Sequence, residues 1–192
     1  MRTKRIFDLC LVLPLAPLVA LAIGALALGV WLVDGRPLFF RQVRLGRDRR
    51  PFWIWKLRTM TTESDPARRV PTRFGGWLRR RGLDELPQVF NVLLGEMSLV
   101  GPRPLTPDDG DRLSAQYPPF ALRYAVPPGI TGLAQICGAH GAALTARLDA
   151  DYARARTAAS DFAILVRTLW INVVGKRRGA RPVPAEQTCS RP

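Results

Sequence analysis

The hydrophobic pattern of the chain opens with one long uncharged segment. Residues 9–33 contain no Asp, Glu, Lys or Arg over 25 consecutive positions. A helix needs about 20 apolar residues to span the hydrocarbon core of a bilayer, so this segment is long enough to insert. Pro14 and Pro17 interrupt it, and a proline inside a helix removes a hydrogen bond and clashes with the preceding turn. The pattern therefore predicts a membrane-inserted helix that is broken near these prolines.

The charges on the two sides of this segment bear on how it lies in the membrane. Three basic residues precede it, and six arginines follow within residues 36–50. Because Lys and Arg stay on the cytoplasmic side, both flanks are expected there, which favours a re-entrant helix that leaves the bilayer on the face it entered. A kinked spanning helix is the open alternative. A cleavable signal peptide is disfavoured, because its apolar region runs over only about 7 to 15 residues.

The rest of the pattern predicts short strands and helices. Residues 37–45 and 51–59 are two apolar-rich runs around a Gly, Arg and Asp turn, which predicts a strand hairpin. Apolar residues at helical spacing predict helices at 74–81, 85–94, 108–124 and 161–174, with a loop at 61–73, an irregular run at 98–109 and a loop or short strand at 126–138. Two environments are open for the apolar side of the last helix, namely the core and the membrane interface.

The net charge of the chain indicates which kinds of molecule it binds. The 192 residues include 29 Lys and Arg against 15 Asp and Glu, a net charge of +14, and residues 36–81 hold 14 of the basic residues against three acidic ones. Anionic lipid accounts for most of this attraction, since each basic residue beside a membrane contributes about 1 kcal/mol. A phosphorylated small substrate is a second candidate. Nucleic acid is disfavoured, because the aromatic residues of this stretch form apolar blocks that match no known binding module.

Candidate chemistry lies in the middle of the chain. Asp84 and Glu85 open a predicted helix in which Pro87 is tolerated only in the first turn. Unpaired amides and the positive end of the helix dipole stabilise carboxylates there. Two interpretations are open: a simple N-cap, or an Asp84 nucleophile kept ionised by a lowered pKa, with Glu85 holding a divalent cation.

Five sequence strings together resemble one family. They are LDELPQVFNVLLGEMSLVGPRP (83–104), KRIFD (4–8), RPLFFRQVRLG (36–46), KLRTM (56–60) and PGITGLAQ (128–135). In their order along the chain they resemble the motifs of the bacterial sugar transferases, the monotopic phosphoglycosyl transferases. The resemblance extends over nearly the whole chain. The resemblance implies transfer of a sugar 1-phosphate from a UDP-sugar to polyprenol phosphate, giving polyprenyl diphosphate sugar and UMP. This is the first membrane step of exopolysaccharide, O-antigen or glycoconjugate assembly.

The resemblance also implies a fold and a location. The fold class expected is α+β and mostly helical, with a small cytoplasmic catalytic domain on a re-entrant helix and amphipathic interfacial helices. Residues 1–35 are assigned to the membrane helix with its basic flanks, 36–175 to the catalytic domain and 176–192 to a flexible basic tail. The bacterial inner membrane is the expected location, with the catalytic domain facing the cytoplasm.

Site residues follow from the family's motifs position by position. Asp84 matches the carboxylate that carries the phosphosugar, and Asp84 and Glu85 match the pair that holds Mg²⁺. By the same resemblance, Arg79 pairs with Glu85 and Arg103 of the GPRP turn binds phosphate oxygens. The other substrate-binding candidates are Lys56 and Arg58 in a basic wall, Gly129 and Thr131 in the PGIT loop, and Asp161 as an acidic residue of the cleft.

The chain departs from the family pattern in two places. After Gly132, Leu133, Cys137 and Ala139 replace the usual Trp, Asn and Arg. These changes leave open a catalytically impaired relative that still binds lipid and nucleotide. The family's helix-breaking proline also usually lies deeper, at the position of Leu21. The sequence does not name the sugar, whose specificity is expected to lie within residues 108–147.

Overall fold

The computed structural model describes residues 2–174 and has a mixed, mostly helical fold. Its helices are α1 (Arg2–Asp34), α2 (Arg73–Arg81), α3 (Gln88–Leu94), α4 (Pro107–Gln116), α5 (Leu133–Ile136), α6 (Ala142–Ala155) and α7 (Ala158–Val174). Its strands are β1 (Phe39–Leu45), β2 (Pro51–Leu57), β3 (Ser98–Val100) and β4 (Gly129–Thr131). Short 3₁₀ turns lie at Arg47–Arg49, Pro66–Arg68, Leu83–Glu85 and Pro118–Ala125. The predicted tail at 176–192 lies outside the described residues.

Helix α1 is continuous through Pro14 and Pro17, so the expected break at these prolines is absent. Its 33 residues correspond to about 50 Å at 1.5 Å per residue. The buried positions along it, Asp8, Val12, Ile23, Ala27 and Val30, recur at helical spacing and mark one face that packs on the domain. The opposite face is apolar and exposed, as at Leu18, Leu21 and Leu32. Among the described residues, α1 is the helix long and apolar enough to cross a membrane.

The N-terminal end of α1 is attached to the domain by its charged residues. The Nζ atom of Lys4 lies 2.6 Å from a carboxylate oxygen of Asp161. Arg5 donates to the carbonyls of Val92 and Leu93 at the end of α3. Because unpaired carbonyls give a helix C-terminus partial negative charge, this is a favourable place for an arginine.

The other end of α1 is attached to the same domain. The Asp34 carboxylate accepts hydrogen bonds from the Thr72 hydroxyl at 2.7 Å and from the amides of Phe74 and Gly75 at 3.2 and 3.1 Å. These amides belong to the first turn of α2, where unpaired N–H groups favour a carboxylate. Both ends of α1 therefore lie against one domain.

The predicted hairpin is confirmed. Strands β1 and β2 pair antiparallel from Phe39↔Leu57 to Leu45↔Pro51. The side chains of Phe52 and Ile54 on β2 pack with Val12, Val92 and Met97 in one hydrophobic cluster. A second cluster joins Ala27, Val30, Leu57 and Leu78. Helix α1 thus shares its core with the hairpin and with α2 and α3.

A parallel two-stranded sheet carries the PGIT loop. Strands β3 and β4 pair at Ser98↔Gly129 and Val100↔Thr131. A Cβ atom on Gly129 would collide with the Gly101 backbone. The two segments therefore approach this closely only because both residues lack a side chain. Val100 then packs with Val126, Tyr152 and Ile164 in a third cluster that joins the sheet to α6 and α7.

The helices of the second half of the chain agree only in part with the sequence prediction. The predicted 108–124 helix divides into α4 and a 3₁₀ turn, because Pro118 and Pro119 cannot continue an α-helix. Helix α6 was not predicted. In α7, Ile164 is buried, whereas Phe162, Leu169 and Trp170 are 57%, 64% and 67% exposed. One side of α7 therefore packs on the core and the other leaves apolar surface uncovered.

Candidate active site

A cleft of about 910 Å³ lies between the hairpin, the 83–85 turn, the GPRP turn and α7. Its centre carries Lys56, Asp84, Glu85 and Arg103. One part of its lining is basic, with Arg69, Arg79 and Arg81, and another part is apolar, with Ile130, Ile136 and Ile171. The cleft therefore presents ionic chemistry beside an apolar wall.

Asp84 reaches this centre because the chain reverses at the end of α2. Gly82 ends that helix in the left-handed region at φ 68°, and its amide donates to the Arg79 carbonyl. A side chain at such a φ is disfavoured, so glycine suits this position. The next three residues form the 3₁₀ turn that carries Asp84 and Glu85, and Pro87 then caps α3.

The Asp84 carboxylate is 8% exposed. Within residues 2–174, it forms no ion pair or hydrogen bond with another side chain. Burial and the neighbouring Glu85 charge raise the pKa of Asp84, while the charges of Lys56 and Arg79 oppose that rise. The sequence-based expectation of a lowered pKa is therefore wrong, because desolvation outweighs the cationic neighbours.

The lowered pKa that the sequence predicted for Asp84 is found instead at Glu85. Glu85 lies 2.8 Å from Lys56 Nζ and 2.6 Å from Arg103 Nη2. Burial alone would raise the pKa of Glu85, but the charges and hydrogen bonds of Arg103 and Lys56 lower it to about 2. Glu85 is therefore ionised at neutral pH and holds two cationic side chains in the cleft.

Arg79 does not pair with Glu85, contrary to the sequence prediction. Its Nη1 atom lies 3.0 Å from the Met60 sulfur, and its side chain lines the basic part of the cleft. The reversal at Gly82 separates the last turn of α2 from the Glu85 side chain, and Arg103 takes the expected place. Arg79 still acts on the centre through its charge, which lowers the pKa of Asp84.

Arg58 lines the cleft but its guanidinium is engaged elsewhere. The residue is 7% exposed and donates to the carbonyls of Asp34, Gly35 and Pro37 at 2.6, 2.8 and 2.6 Å. It therefore ties the end of α1 to the start of the hairpin. Lys56, in contrast, directs its ammonium group into the cleft, to Glu85.

Asp161 lies outside the lining of the cleft. It is 2% exposed, pairs with Lys4 and accepts a 2.8 Å hydrogen bond from the Tyr152 hydroxyl. This carboxylate attaches the N-terminal end of α1 to α7, so the prediction of an acidic cleft residue is corrected.

The two residues of the PGIT loop divide between the sheet and the cleft. Gly129 is buried against Gly101 in the sheet and does not line the cleft. Thr131 does line it, and its hydroxyl lies 2.7 Å from that of Thr168 on α7.

Sequence reasoning missed two groups near the site. Ile130, Ile136 and Ile171 form the apolar wall. Arg123 and Asp149 form an ion pair beneath the GPRP turn, with side chains 3% and 4% exposed. Nothing in the local sequence marks these two residues, since both lie in segments of ordinary polar composition.

The carboxylates of the cleft have the chemistry to share a hard cation with a substrate. Within residues 2–174, no group of three or more His, Cys, Asp or Glu side chains could enclose a metal ion. Mg²⁺, however, commonly takes only one or two carboxylates and completes its shell with water and substrate phosphates. Asp84 is the better ligand, because its charge has no ionic partner while Glu85 already has two. The residues fit a Mg²⁺ ion that arrives with a phosphorylated substrate.

Comparisons with known proteins agree on one family. A family model described as bacterial sugar transferase matches residues 1–175. An undecaprenyl-phosphate glucose phosphotransferase of Komagataeibacter xylinus is 41% identical over 192 residues, covering 88% of this chain and 35% of the relative. A UDP-glucose:undecaprenyl-phosphate glucose-1-phosphate transferase of Caulobacter vibrioides is 40% identical over 181 residues, covering 86% and 68%. The protein of that name from Escherichia coli is 37% identical over 191 residues, covering 90% and 40%. The chain thus spans about a third of the first relative and two thirds of the second.

Proposed function

This chain belongs to the bacterial sugar transferase family, and on that premise we propose that it transfers a sugar 1-phosphate from a UDP-sugar to undecaprenyl or another polyprenol phosphate. The observation that carries the proposal is the buried Asp84 carboxylate, which has no ionic partner within residues 2–174, beside a glutamate held by two cations. Such a centre offers a nucleophile next to positive charge, which a phosphoryl-transfer reaction requires. UDP-glucose is the first donor to test, because the three relatives are named for glucose.

The reaction proceeds in two displacements at one phosphorus atom. An Asp84 carboxylate oxygen attacks the phosphorus that bears the sugar, the bond from this phosphorus to the bridging oxygen breaks, and UMP leaves with that oxygen. The sugar phosphate is then an acyl phosphate on Asp84. A phosphate oxygen of the polyprenol phosphate attacks the same phosphorus, giving polyprenyl diphosphate sugar and releasing the carboxylate. Covalent catalysis of this kind divides one difficult transfer into two easier ones.

The electrostatics of Asp84 suit this nucleophilic role. The raised pKa of Asp84 makes the ionised carboxylate a stronger base and therefore a stronger nucleophile than an ordinary Asp. A negative nucleophile that approaches a negative diphosphate also needs positive charge around it. Arg103 presents a planar fork to phosphate oxygens, and Lys56 adds a second positive charge at Glu85.

The two parts of the cleft match the two substrates. The basic part, with Arg69, Arg79 and Arg81, suits the diphosphate of the nucleotide sugar. The apolar wall on β4, α5 and α7 suits the first isoprene units of the lipid carrier, because apolar surface is stabilised by leaving water. Because the attacking and leaving oxygens lie in line in each displacement, the lipid phosphate must attack from the side that UMP has left, opposite the Asp84 oxygen.

Magnesium is the cofactor we propose. Asp84 and Glu85 would hold it together with substrate phosphate oxygens, where it would neutralise charge that develops during transfer. Arg103 and Lys56 keep Glu85 ionised whether or not the ion is bound.

The membrane arrangement we propose is re-entrant in the sense that both ends of α1, which is unbroken at Pro14 and Pro17, stay on the cytoplasmic face of the inner membrane. Its support is the attachment of both ends of α1 to one domain, through Asp161 at one end and Thr72 at the other. A polypeptide whose two ends contact one soluble domain cannot place them on opposite sides of a bilayer. The basic residues of the domain would then face anionic lipid headgroups.

A substrate panel tests the proposed function. The full-length protein in detergent or nanodiscs is incubated with polyprenol phosphate, Mg²⁺ and one UDP-sugar at a time, and UMP and the lipid product are measured. Release of UMP with one donor, dependent on the lipid, supports the proposal. Binding of UDP-sugar and lipid without UMP release from any donor would favour the impaired relative suggested by Leu133, Cys137 and Ala139.

A further inference from the structure

The buried Arg123–Asp149 ion pair lies beneath the cleft and has no part in the chemistry described so far. Arg123 comes from the 3₁₀ turn after α4, and Asp149 comes from α6. Their closest charged atoms are 3.2 Å apart, and Arg123 lies over the Phe120 ring at 4.4 Å from its centre. Neither residue lines the cleft.

Stability alone does not account for this pair. Burial raises the pKa of Asp149 to about 6 even though the Arg123 charge opposes the rise, and burial lowers the pKa of Arg123. The Nη1 atom of Arg123 also has no acceptor in the described part of the chain. A buried pair of this kind can often be replaced by apolar residues without loss of stability, because desolvation costs as much as the charges return.

The position of the Arg123 guanidinium indicates another role. Its Nη2 atom donates to the carbonyl of Arg103 at 2.5 Å. Arg44 donates to the next carbonyl, that of Pro104, at 3.2 Å. Two successive carbonyls of the GPRP turn are therefore each held by an arginine, while the Arg103 side chain extends to Glu85.

We propose that Arg123, oriented by Asp149, is a positioning residue that fixes the GPRP backbone so that the Arg103 guanidinium reaches Glu85 and the substrate phosphate. The Arg103 side chain is 51% exposed and has several rotatable bonds, so its direction depends on where its backbone is held. A displacement of about 1 Å at a phosphate-binding group can cost on the order of 100-fold in rate. This inference rests on the proposed function and assigns a role to residues outside the cleft.

An apolar replacement separates positioning from stability. The double variant Arg123→Met and Asp149→Leu removes both buried charges at similar volume. We expect its thermal midpoint to equal or exceed that of the wild type, while kcat/KM for UMP release falls by about 10-fold or more. The matched control is Arg147→Ala with Asp151→Ala, which removes an exposed pair from the same helix and should leave both quantities unchanged. A stable Arg123→Met, Asp149→Leu protein with wild-type kcat/KM overturns the proposal.

A double-mutant comparison tests the route through Arg103. In an Arg103→Ala background the guanidinium is gone, so adding Arg123→Met and Asp149→Leu should cause no further loss. Losses that multiply would show that the pair acts by another route, and the proposal would then be wrong.

The same proteins are titrated with UDP and Mg²⁺ by calorimetry, which does not depend on turnover. Binding should weaken in the double variant and weaken no further in the Arg103→Ala background. If the wild type releases no UMP, the proposed function fails and this binding comparison still decides the positioning role. UDP affinities that are equal in the wild type and the stable double variant would then overturn it.

Discussion

Arg103 Nη2 lies 2.6 Å from Glu85 Oε1, and this contact joins two turns of the chain that meet over the cleft. The GPRP turn supplies the cation and the turn after α2 supplies the carboxylate. Because the guanidinium also remains half exposed, it can contact a substrate phosphate while it is still paired with Glu85. Hydrogen bonds between charged groups are about twice as strong as neutral ones, so both turns are expected to be ordered before substrate binds.

Replacing the guanidinium by an ammonium group should therefore be damaging. Arg103→Lys keeps the charge but loses the planar fork that can bind Glu85 and phosphate at once. We expect kcat/KM to fall by about 10-fold or more, on the scale of 1.4 kcal/mol per factor of 10. Arg112→Lys, at an arginine that is also more than half exposed, is the control and should be neutral. Near wild-type kinetics for Arg103→Lys would show that charge alone is sufficient.

The Asp84→Asn variant should lose turnover and keep its fold. An amide of the same shape cannot form the acyl phosphate, and removing a buried charge relieves desolvation and repulsion from Glu85. We expect no measurable UMP release and an unchanged or higher thermal midpoint, with Asp151→Asn as the exposed control. In the wild type incubated with UDP-sugar and Mg²⁺ but without the lipid carrier, mass spectrometry after acid quenching should find a phosphosugar on the peptide containing Asp84. Substantial turnover by Asp84→Asn would exclude the covalent route.

Removal of divalent cations should stop the reaction. Chelation with EDTA is expected to abolish UMP release and added Mg²⁺ to restore it, because two carboxylates and a diphosphate leave negative charge that Arg103 and Lys56 do not fully neutralise. The unfolding temperature should not change on chelation, since Glu85 already has cationic partners. Full activity in EDTA would mean that these side chains are sufficient.

Cysteine labelling tests the membrane arrangement. Thr3→Cys and Ser64→Cys are placed separately, at exposed positions, in a protein whose three native cysteines are replaced. In spheroplasts, an impermeant maleimide should label neither site until the membrane is opened, because both ends of α1 lie on one domain. Labelling of the Thr3→Cys protein alone in intact spheroplasts would show a spanning helix. The cleft would still face the cytoplasm in that case, so the chemistry does not depend on this result.

The buried pair also predicts a pH dependence of stability. The pKa of Asp149 is about 6 in the folded protein against an ordinary 3.8, so the folded state binds more protons between these values. Stability from this group is therefore present at low pH and is lost as the pH rises through about 6. The free energy of unfolding of Arg123→Met, Asp149→Leu relative to the wild type should increase over the same interval and be constant above it. A difference independent of pH would contradict this assignment.

The hairpin and most helices could be predicted because their signals are local. Apolar runs around a Gly and Asp turn identify β1 and β2, and helical spacing identifies α2, α3 and α7. Helix α6 was missed because its buried positions include Ala146, Asp149 and Ala150, which do not register as an apolar stripe. The prolines of α1 predicted a break, but the helix continues through both of them.

The members of the site could be predicted, but their pairings could not. The motifs identified Lys56, Asp84, Glu85 and Arg103, all of which line one cleft. The cation that pairs with Glu85 is decided by the change in chain direction at Gly82. The spacing of residues along the sequence does not show that change. The opposite pKa shifts of Asp84 and Glu85 could not be predicted either. They depend on which carboxylate is buried and which has cationic partners, and the tertiary structure decides both.

The contact between Gly101 and Gly129 limits how the sequence around the site can diverge. A Cβ atom on either residue, or on Gly132, would collide with backbone atoms of the facing segment. A single mutation at any of the three cannot be absorbed by a side-chain rotation, because the obstacle is main chain. One departure of this chain from the family pattern begins at Leu133, immediately after the last of these glycines. The sequence can therefore vary from Leu133 onward while the three glycines hold the turn that carries Arg103 in place.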